Sequence, residues 1–273
     1  MAFSKNFLII QKVKIEKLKK SRLDQLLAAR GLAESRAQAQ ALILAGRVLV
    51  AGQVAAKAGS LVPEDAQVEV KQPAVRYVSR GGEKLAAAME HFQVDPAGKV
   101  ALDVGASTGG FTHCLLSKGA ARVYAVDVGF GQLDASLRRD PRVVVLERRN
   151  IRNLPREALP EAVDLATLDL SFISLTLVLP KILEFLRPGG EVLALVKPQF
   201  EVGKGQVGKG GVVRDLRLQQ EAVAKVARAA QGLGMQASPP FPSPLKGPKG
   251  NQEYFLYLSA PTQPQGHIDK PRA

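Results

Sequence analysis

From residue 99 onward, short apolar runs alternate with helix-like segments, and this alternation limits the possible fold more than any other feature of the chain. Strands that are regularly separated by helices form a parallel sheet that is covered on both faces. We predict helices that run to about residue 118 and lie near 131–139, 175–186 and 216–233. The fold class is therefore a doubly wound, mostly parallel α/β sheet, with strands in KVALDVG, RVYAVDVG, RVVVLE, VDLATLDL and EVLALVKP and an edge strand in EYFLYLSA.

The first of these strands leads into the glycine turn of VALDVGASTGGFTH. Its glycines, Gly105, Gly109 and Gly110, read G-x-x-x-G-G. A dinucleotide-binding turn would read G-x-G-x-x-G, and a phosphate-binding P-loop would contain Gly-Lys-Ser/Thr. The glycine spacing therefore disfavours both a dinucleotide-binding turn and a P-loop. The turn nevertheless lies where open α/β sheets bind their ligands, outside the carboxyl ends of the strands.

Two acidic residues near these strand ends suggest a different ligand. Asp127 ends the second strand, where a carboxylate can accept hydrogen bonds from both hydroxyls of a ribose. S-adenosylmethionine contains a ribose and lacks a pyrophosphate, and Asp103 would complement the charge of its methionine amino group. The alternative is that the glycines only permit close packing and that the acids are solvated charges at strand ends.

The N-terminal part of the chain has a different pattern. Leu23, Leu26 and Leu27 predict a short helix, Ser35 with Gln38 predicts a capping box that begins a second one, and RVLVAGQVA predicts a hairpin around Ala51-Gly52 with a further strand in QVEV. We predict five segments: a basic flexible arm at 1–20, a small α/β module at 21–72, a linker at 73–82, the large α/β domain at 83–260 and a disordered tail at 261–273.

Charge indicates an anionic partner. The net charge is +13, and residues 1–80 contain fourteen Lys or Arg against six Asp or Glu. Such a basic excess is typical of proteins that bind nucleic acid. The single cysteine, Cys114, excludes an intramolecular disulfide and is expected in a helix core; no Cys/His spacing predicts a metal site, and no segment reaches membrane-spanning length. These features favour a cytoplasmic protein without a membrane partner.

Eight segments, in order, resemble one known family. They are RLDQLLAARGLAESRAQAQALILAGRVLVAGQV, YVSRGGEKL, LDVGASTGGFT, VYAVDVGFGQL, LDLSFISL, LVKPQFE, GKGGVVRD and GNQEYFL, and they are similar to the TlyA family of ribosomal RNA 2′-O-methyltransferases. The resemblance implies an N-terminal S4 RNA-binding domain and an FtsJ-like, Rossmann-like methyltransferase domain. It implies methyl transfer from S-adenosylmethionine to cytidine ribose in the large ribosomal subunit and, for some members, also in the small subunit. The family's older name is haemolysin.

The same resemblance implies a catalytic set of two lysines and two acids: Lys84, Asp169, Lys197 and Glu253. The predicted strands agree with it for Asp169 and Lys197, which follow two neighbouring apolar runs. We expect Lys197 to be the general base and the two acids to orient the two lysines. The alternative is a surface cluster of salt bridges.

Further residues are expected to contact the cofactor or the RNA. The cofactor set is Asp103, Gly105, Ser107, Gly109, Gly110, Phe111 and Asp127. The RNA set is Arg22, Arg36 and Arg47, which flank the two short helices, and Arg80 in a basic glycine-rich loop; a solvated basic face is the alternative for any one of these arginines. Two other functions remain open: a non-catalytic RNA-binding factor for ribosome assembly on a methyltransferase scaffold, and, last, a membrane-active haemolysin.

Overall fold

A computed structural model of the protein describes residues 19–44, 46–55, 57–70, 77–203, 205–247 and 249–262. The chain forms two compact units, residues 1–74 and residues 75–273. The predicted arm and tail fall largely outside the described residues. Lys20, which was assigned to the arm, begins the first strand because its backbone pairs with Pro63.

The first unit contains two helices and five short strands. They are β1 Lys20–Arg22, α1 Leu23–Ala29, α2 Arg36–Leu44, β2 Val48–Val50, β3 Gln53–Val54, β4 Leu61–Pro63 and β5 Val68–Val70. Strand β1 pairs with β4, and β2 lies between β3 and β5; all pairs are antiparallel. The helices bury Leu23, Leu27 and Ile43 against this framework.

Local signals in the first unit predicted its turns well. The hairpin at Ala51-Gly52 is confirmed, and both residues have positive φ, 50° and 78°, as a two-residue hairpin turn requires. Ser35 Oγ accepts a hydrogen bond from the Gln38 backbone N–H at 3.2 Å. The Gln38 side chain accepts from the N–H of Glu34, not from that of Ser35, so the reciprocal half of the capping box is displaced by one residue.

The second unit is a large α/β domain. Its elements are α3 Gly81–Phe92, β6 Val100–Val104, α4 Gly110–Ser117, β7 Arg122–Val126, α5 Ala135–Arg139, β8 Val143–Leu146, β9 Val163–Leu168, α6 Leu179–Phe185, β10 Leu186–Val196, α7 Pro198–Glu201, α8 Leu216–Gly232, β11 Gln236–Ala237, β12 Phe241–Pro242 and β13 Tyr254–Ser259. Two apolar cores lie on opposite faces of its sheet, one under α3 and α4 and the other under α6 and α8.

The strand order confirms the doubly wound fold. The sheet runs β11-β13-β10-β9-β6-β7-β8, and the five strands from β10 to β8 are parallel. The chain moves outward from β6 to β8 and then returns to the other side of β6 as β9. The carboxyl ends of β6 and β9 therefore form a topological switch point, where open α/β sheets bind ligands.

Two predictions about this unit, the edge position of β13 and the range of the linker, need correction. Strand β13 is not at the edge, because it pairs with β10 on one side and with β11 and β12 on the other. Helix α3 begins at Gly81, inside the predicted linker. Tyr77, also assigned to the linker, packs on the core under α3 and α4 and contacts the His113 ring edge-on at 5.6 Å. Cys114 is buried in that core, as predicted.

Candidate active site

The glycine turn lies at the switch point, and its backbone is in close contact with the end of β9. Gly105 follows β6 with a φ of +86°, and a Cβ at this position would lie 2.5 Å from the backbone oxygen of Asp169. Gly110, the first residue of α4, is equally crowded, since its Cβ would lie 2.2 Å from Ser79 Oγ. Both positions therefore require glycine, and the turn leaves its outer side open to a ligand.

A cavity of about 550 Å³ opens outside this turn. Its volume is within the range typical of small-molecule sites. The wall is formed by the ends of β6, β7 and β9 and by the loops that follow them, with Gly105, Ser107, Asp127, Asn150, Asp169 and Phe172 among the lining residues.

Asp127 is held in a fixed orientation in this cavity. Its Oδ2 accepts a hydrogen bond from the Ser107 backbone N–H at 2.8 Å, and its Oδ1 accepts one from the Gly129 N–H at 2.7 Å. Each carboxylate oxygen keeps further acceptor capacity toward the cavity. Asp127 and Ser107 thus both lie where the sequence placed them, at the ligand-facing side of the turn.

Asp103 does not reach the cavity, which corrects the expectation that it contacts a cofactor. Its side chain is fully buried and accepts hydrogen bonds from Thr112 Oγ1 at 2.6 Å and Thr167 Oγ1 at 3.0 Å. Burial raises the pKa of Asp103 to about 7, although both hydroxyl donors act in the opposite direction. Its position links α4 and β9 behind the glycine turn.

A smaller cavity of about 210 Å³ adjoins the first, and Gly105, Ser107 and Asp169 line both. Gly110 and Phe111 also line the smaller one, together with Arg80 and Lys84. Phe111 is 3% exposed and stacks on Phe255, so most of its ring belongs to the core. Gly109 lines neither cavity, and a Cβ there would collide with Leu133 and Leu137.

The four residues of the implied catalytic set form two ion pairs. Lys84 Nζ donates to Glu253 Oε2 at 2.6 Å, and the side chains are only 10% and 1% exposed. Lys197 Nζ lies 2.6 Å from Asp169 Oδ1, with side chains 12% and 25% exposed. The alternative of a surface salt-bridge cluster is therefore wrong for Lys84 and Glu253.

The second pair faces the cavities. Lys197 Nζ lies 2.6 Å from the buried Oδ1 of Asp169 and also donates a hydrogen bond to Ser171 Oγ at 3.1 Å. A carboxylate has two oxygens with several acceptor sites, so Asp169 can bind a hydroxyl or ammonium group of a ligand in addition to Lys197.

A third cavity, of about 490 Å³, is lined by Lys197, Lys249 and Glu253 among other residues. Phe172 lines this cavity and the first one. Phe172 is 91% exposed, has a φ of +65°, and lies 5.0 Å from the Phe200 ring. Sequence reasoning missed Phe172; the available signal was an aromatic residue directly after the polar end of a strand in LDLSFISL.

The predicted RNA-contacting arginines differ in their environments. Arg22 and Arg36 are half-exposed and both pair with the buried carboxylate of Asp24 in the first unit. Arg47 is half-buried in the same unit. Arg80 lies in the second unit, exposed, at the start of α3 and on the wall of the smaller cavity.

Comparison with known proteins gives consistent matches for both units. Residues 77–260 match the FtsJ-like methyltransferase family, and residues 21–68 match the S4 domain. The chain is 52% identical to the 16S/23S rRNA (cytidine-2′-O)-methyltransferase TlyA of Mycobacterium tuberculosis over 89% of its length and 91% of the relative. It is 42% identical to Hemolysin A of Brachyspira hyodysenteriae, over 87% of this chain and 99% of that protein.

A solved structure shows the same arrangement of elements. It comes from Streptococcus thermophilus, is named as a candidate hemolysin, and is 38% identical to this chain. The TM-score is 0.68, and 92% of each chain is covered. No helix among the described residues is long and apolar enough to cross a membrane.

Proposed function

We propose, from the premise that this chain belongs to the TlyA family of FtsJ-like methyltransferases, that it methylates the 2′-hydroxyl of cytidine in ribosomal RNA with S-adenosylmethionine as the methyl donor. The names of the relatives support the reaction and the substrate. The S4 domain supports an RNA partner. Ribosomal RNA as the substrate favours action in the cytoplasm.

The observation that carries this proposal is the Lys197–Asp169 pair between two cavities. Asp169 lines the cavity outside the glycine turn, Lys197 lines the third cavity, and Ser171 and Phe172 line both. A methyl donor in the first cavity and a ribose in the second would meet at this pair. Holding two reactants in an attack geometry supplies on the order of 7 to 11 kcal/mol of the barrier, more than a general base adds.

S-adenosylmethionine would supply a methyl group bound to a positively charged sulfur. The chain's residues fit it, since the partly exposed carboxylate of Asp169 has acceptor capacity beyond its pair with Lys197 for the ammonium group, and the fixed carboxylate of Asp127 can accept from the ribose hydroxyls. Gly105 allows the backbone to approach the ligand closely. Asp103 would act behind the turn, where its hydrogen bond from Thr112 positions α4.

Lys197 is the general base in this mechanism. With S-adenosylmethionine bound, the methyl group would pass from sulfur to the ribose oxygen, and Lys197 Nζ would take the hydroxyl proton as a neutral amine, after releasing to solvent the proton that it carries in its pair with Asp169. Asp169 and Ser171 fix the position of Nζ. Lys84 is less suited because a neutral amine there would leave the 1% exposed carboxylate of Glu253 without a counter-charge, whereas Asp169 is 25% exposed.

The acceptor nucleotide is expected to lie against Phe172. An aromatic ring that is 91% exposed at the rim of both cavities offers a face on which a base can stack. Lys249 is an exposed cation on the wall of the third cavity, and Arg80 is one on the wall of the smaller cavity. Both can pair with phosphates of the bound strand.

The proposal is tested by transfer of labelled methyl to isolated large subunits, small subunits and free ribosomal RNA. Wild type is compared with Lys197→Met and, as a matched control, with Lys118→Met, since Lys118 is exposed and distant in sequence from the pair. The label is mapped by the resistance of the adjacent phosphodiester bond to alkali. Alkali-resistant label that is lost only in Lys197→Met supports a ribose methyltransferase and identifies the subunit.

No transfer to any of these RNAs, despite tight binding, would contradict the proposal and favour the assembly-factor alternative. Loss of activity in both lysine variants would also contradict the specific role of Lys197. The haemolysin alternative has only the name of a relative in its favour.

A further inference from the structure

A buried carboxylate in the first unit binds two of the expected RNA-contacting arginines at once. Arg22 donates to Asp24 through Nε at 3.1 Å and through Nη2 at 3.0 Å, and Arg36 donates through Nε at 2.9 Å. Gln40 Nε2 and the Gln25 backbone N–H add two further bonds, at 2.9 and 3.0 Å. The side chain of Asp24 is fully buried under these donors.

The arginines themselves remain open to solvent. Their side chains are 41% exposed at Arg22 and 51% exposed at Arg36. A guanidinium group has five N–H donors. Among the described residues, Asp24 accepts two of the five from Arg22 and one from Arg36, and the remaining donors have no protein acceptor. Two like charges are thus held close together with most of their donors unused.

We infer that Asp24 is a positioning residue that holds Arg22 and Arg36 as one clamp for an RNA phosphate. The inference rests on the proposed RNA-methylating function and specifies how the first unit binds its substrate. A phosphate accepts paired hydrogen bonds from guanidinium groups whose planes are already fixed, so the side chains lose less entropy on binding. The hydrogen bond from Arg22 is the largest cause of a lowered pKa at Asp24, so this carboxylate stays charged throughout the physiological pH range.

The clamp predicts a change in affinity opposite to that expected from charge alone. Asp24→Asn removes a negative charge from an RNA-binding surface, so simple electrostatics predicts tighter binding. If Asp24 orients the arginines, the same substitution weakens binding by at least about tenfold, the effect of losing an oriented charge-assisted contact. Glu34→Gln is the matched control, because Glu34 is exposed, lies two residues from Arg36 and loses the same charge.

The experiment measures the Kd of the full-length variants for ribosomal RNA at two salt concentrations, with the melting temperature of each variant. We expect Asp24→Asn to weaken binding and Glu34→Gln to leave it unchanged or slightly tighter. Arg36→Lys keeps the positive charge but loses the planar guanidinium group, so it should also weaken binding. It serves as a second test if Asp24→Asn does not fold, because a substitution at the half-exposed Arg36 should leave the fold intact. Under steady-state turnover, KM for RNA should rise and kcat should stay unchanged.

Folded Asp24→Asn that binds RNA as tightly as Glu34→Gln would overturn the inference, and so would an unchanged affinity of Arg36→Lys. Either result would leave the proposed function intact, since wild-type methyl transfer is measured separately. Conversely, absence of methyl transfer by wild type would remove the proposed function without deciding the affinity comparison.

Discussion

The buried pair of Lys84 and Glu253 allows stability and catalysis to be separated. The nitrogen and oxygen are 2.6 Å apart, and Glu253 is 1% exposed. Removing one partner leaves an uncompensated charge in a site of low polarity, which costs about 3 to 5 kcal/mol. For a unit of this size, 1 kcal/mol corresponds to roughly 2 to 4 °C, so Glu253→Gln should lower the melting temperature by about 6 to 20 °C.

Thermal unfolding by circular dichroism measures this effect, and the pair Lys181–Glu184 provides the control. That pair has the same 2.6 Å separation, but Glu184 is 52% exposed. Glu184→Gln should therefore cost no more than about 0.5 kcal/mol. The double variant Lys84→Met with Glu253→Leu should recover most of the stability because no charge remains buried, while methyl transfer stays lost.

Equal decreases in melting temperature for Glu253→Gln and Glu184→Gln would refute the reasoning, because they would mean that burial does not raise the stability cost of removing one partner. Full methyl transfer by the double variant would also refute it, since the two residues would then have a structural role alone.

Three further substitutions test the site. Burial raises the pKa of Asp103 to about 7, above its unfolded value near 4, so its protonated form stabilises the fold fully below about pH 4. This contribution, roughly 4 kcal/mol, is lost as the pH rises through 7. Urea titrations at several pH values should show this decrease for wild type and not for Asp103→Asn, and an unchanged pH dependence in the variant would contradict the assignment. Gly105→Ala should abolish binding of S-adenosylmethionine in calorimetry, because its Cβ would meet the Asp169 carbonyl at 2.5 Å, whereas Gly98→Ala, with a positive φ and open space, should retain it. Phe172→Ala should raise KM for RNA at least about fivefold without lowering the melting temperature, and Phe172→Tyr should keep the wild-type KM; a loss of stability in Phe172→Ala would indicate a packing role instead.

The sequence predicted the location of the site because parallel strands end at one edge of a sheet. Asp169 and Lys197 follow β9 and β10, which pair in parallel, so the predicted strands agreed with the placement of these two residues that the family resemblance implied. The glycine turn and Asp127 were predictable for the same reason. Local signals also predicted most helices and the hairpin of the first unit.

Contacts between distant segments could not be predicted from spacing. Lys84 and Glu253 are 169 residues apart, and only the insertion of β13 between β10 and β11 brings Glu253 to Lys84. The family resemblance alone indicated this contact. Asp103 was misplaced because an acid near a strand end suggests exposure, whereas this side chain is buried between α4 and β9, where Thr112 and Thr167 donate hydrogen bonds to it.

Strand β13 also determines when a working site can exist during synthesis. Residues that line the site begin at Ser79, yet Glu253, which directly precedes β13, is added 169 residues after Lys84. Domains fold as their segments emerge, and synthesis adds about 5 to 20 residues per second. Lys84 therefore lacks its partner for roughly 8 to 34 seconds, the time needed to reach Glu253. Chains that stop before this strand therefore contain the S4 domain but lack Glu253, so they have only three of the four residues of the proposed catalytic set.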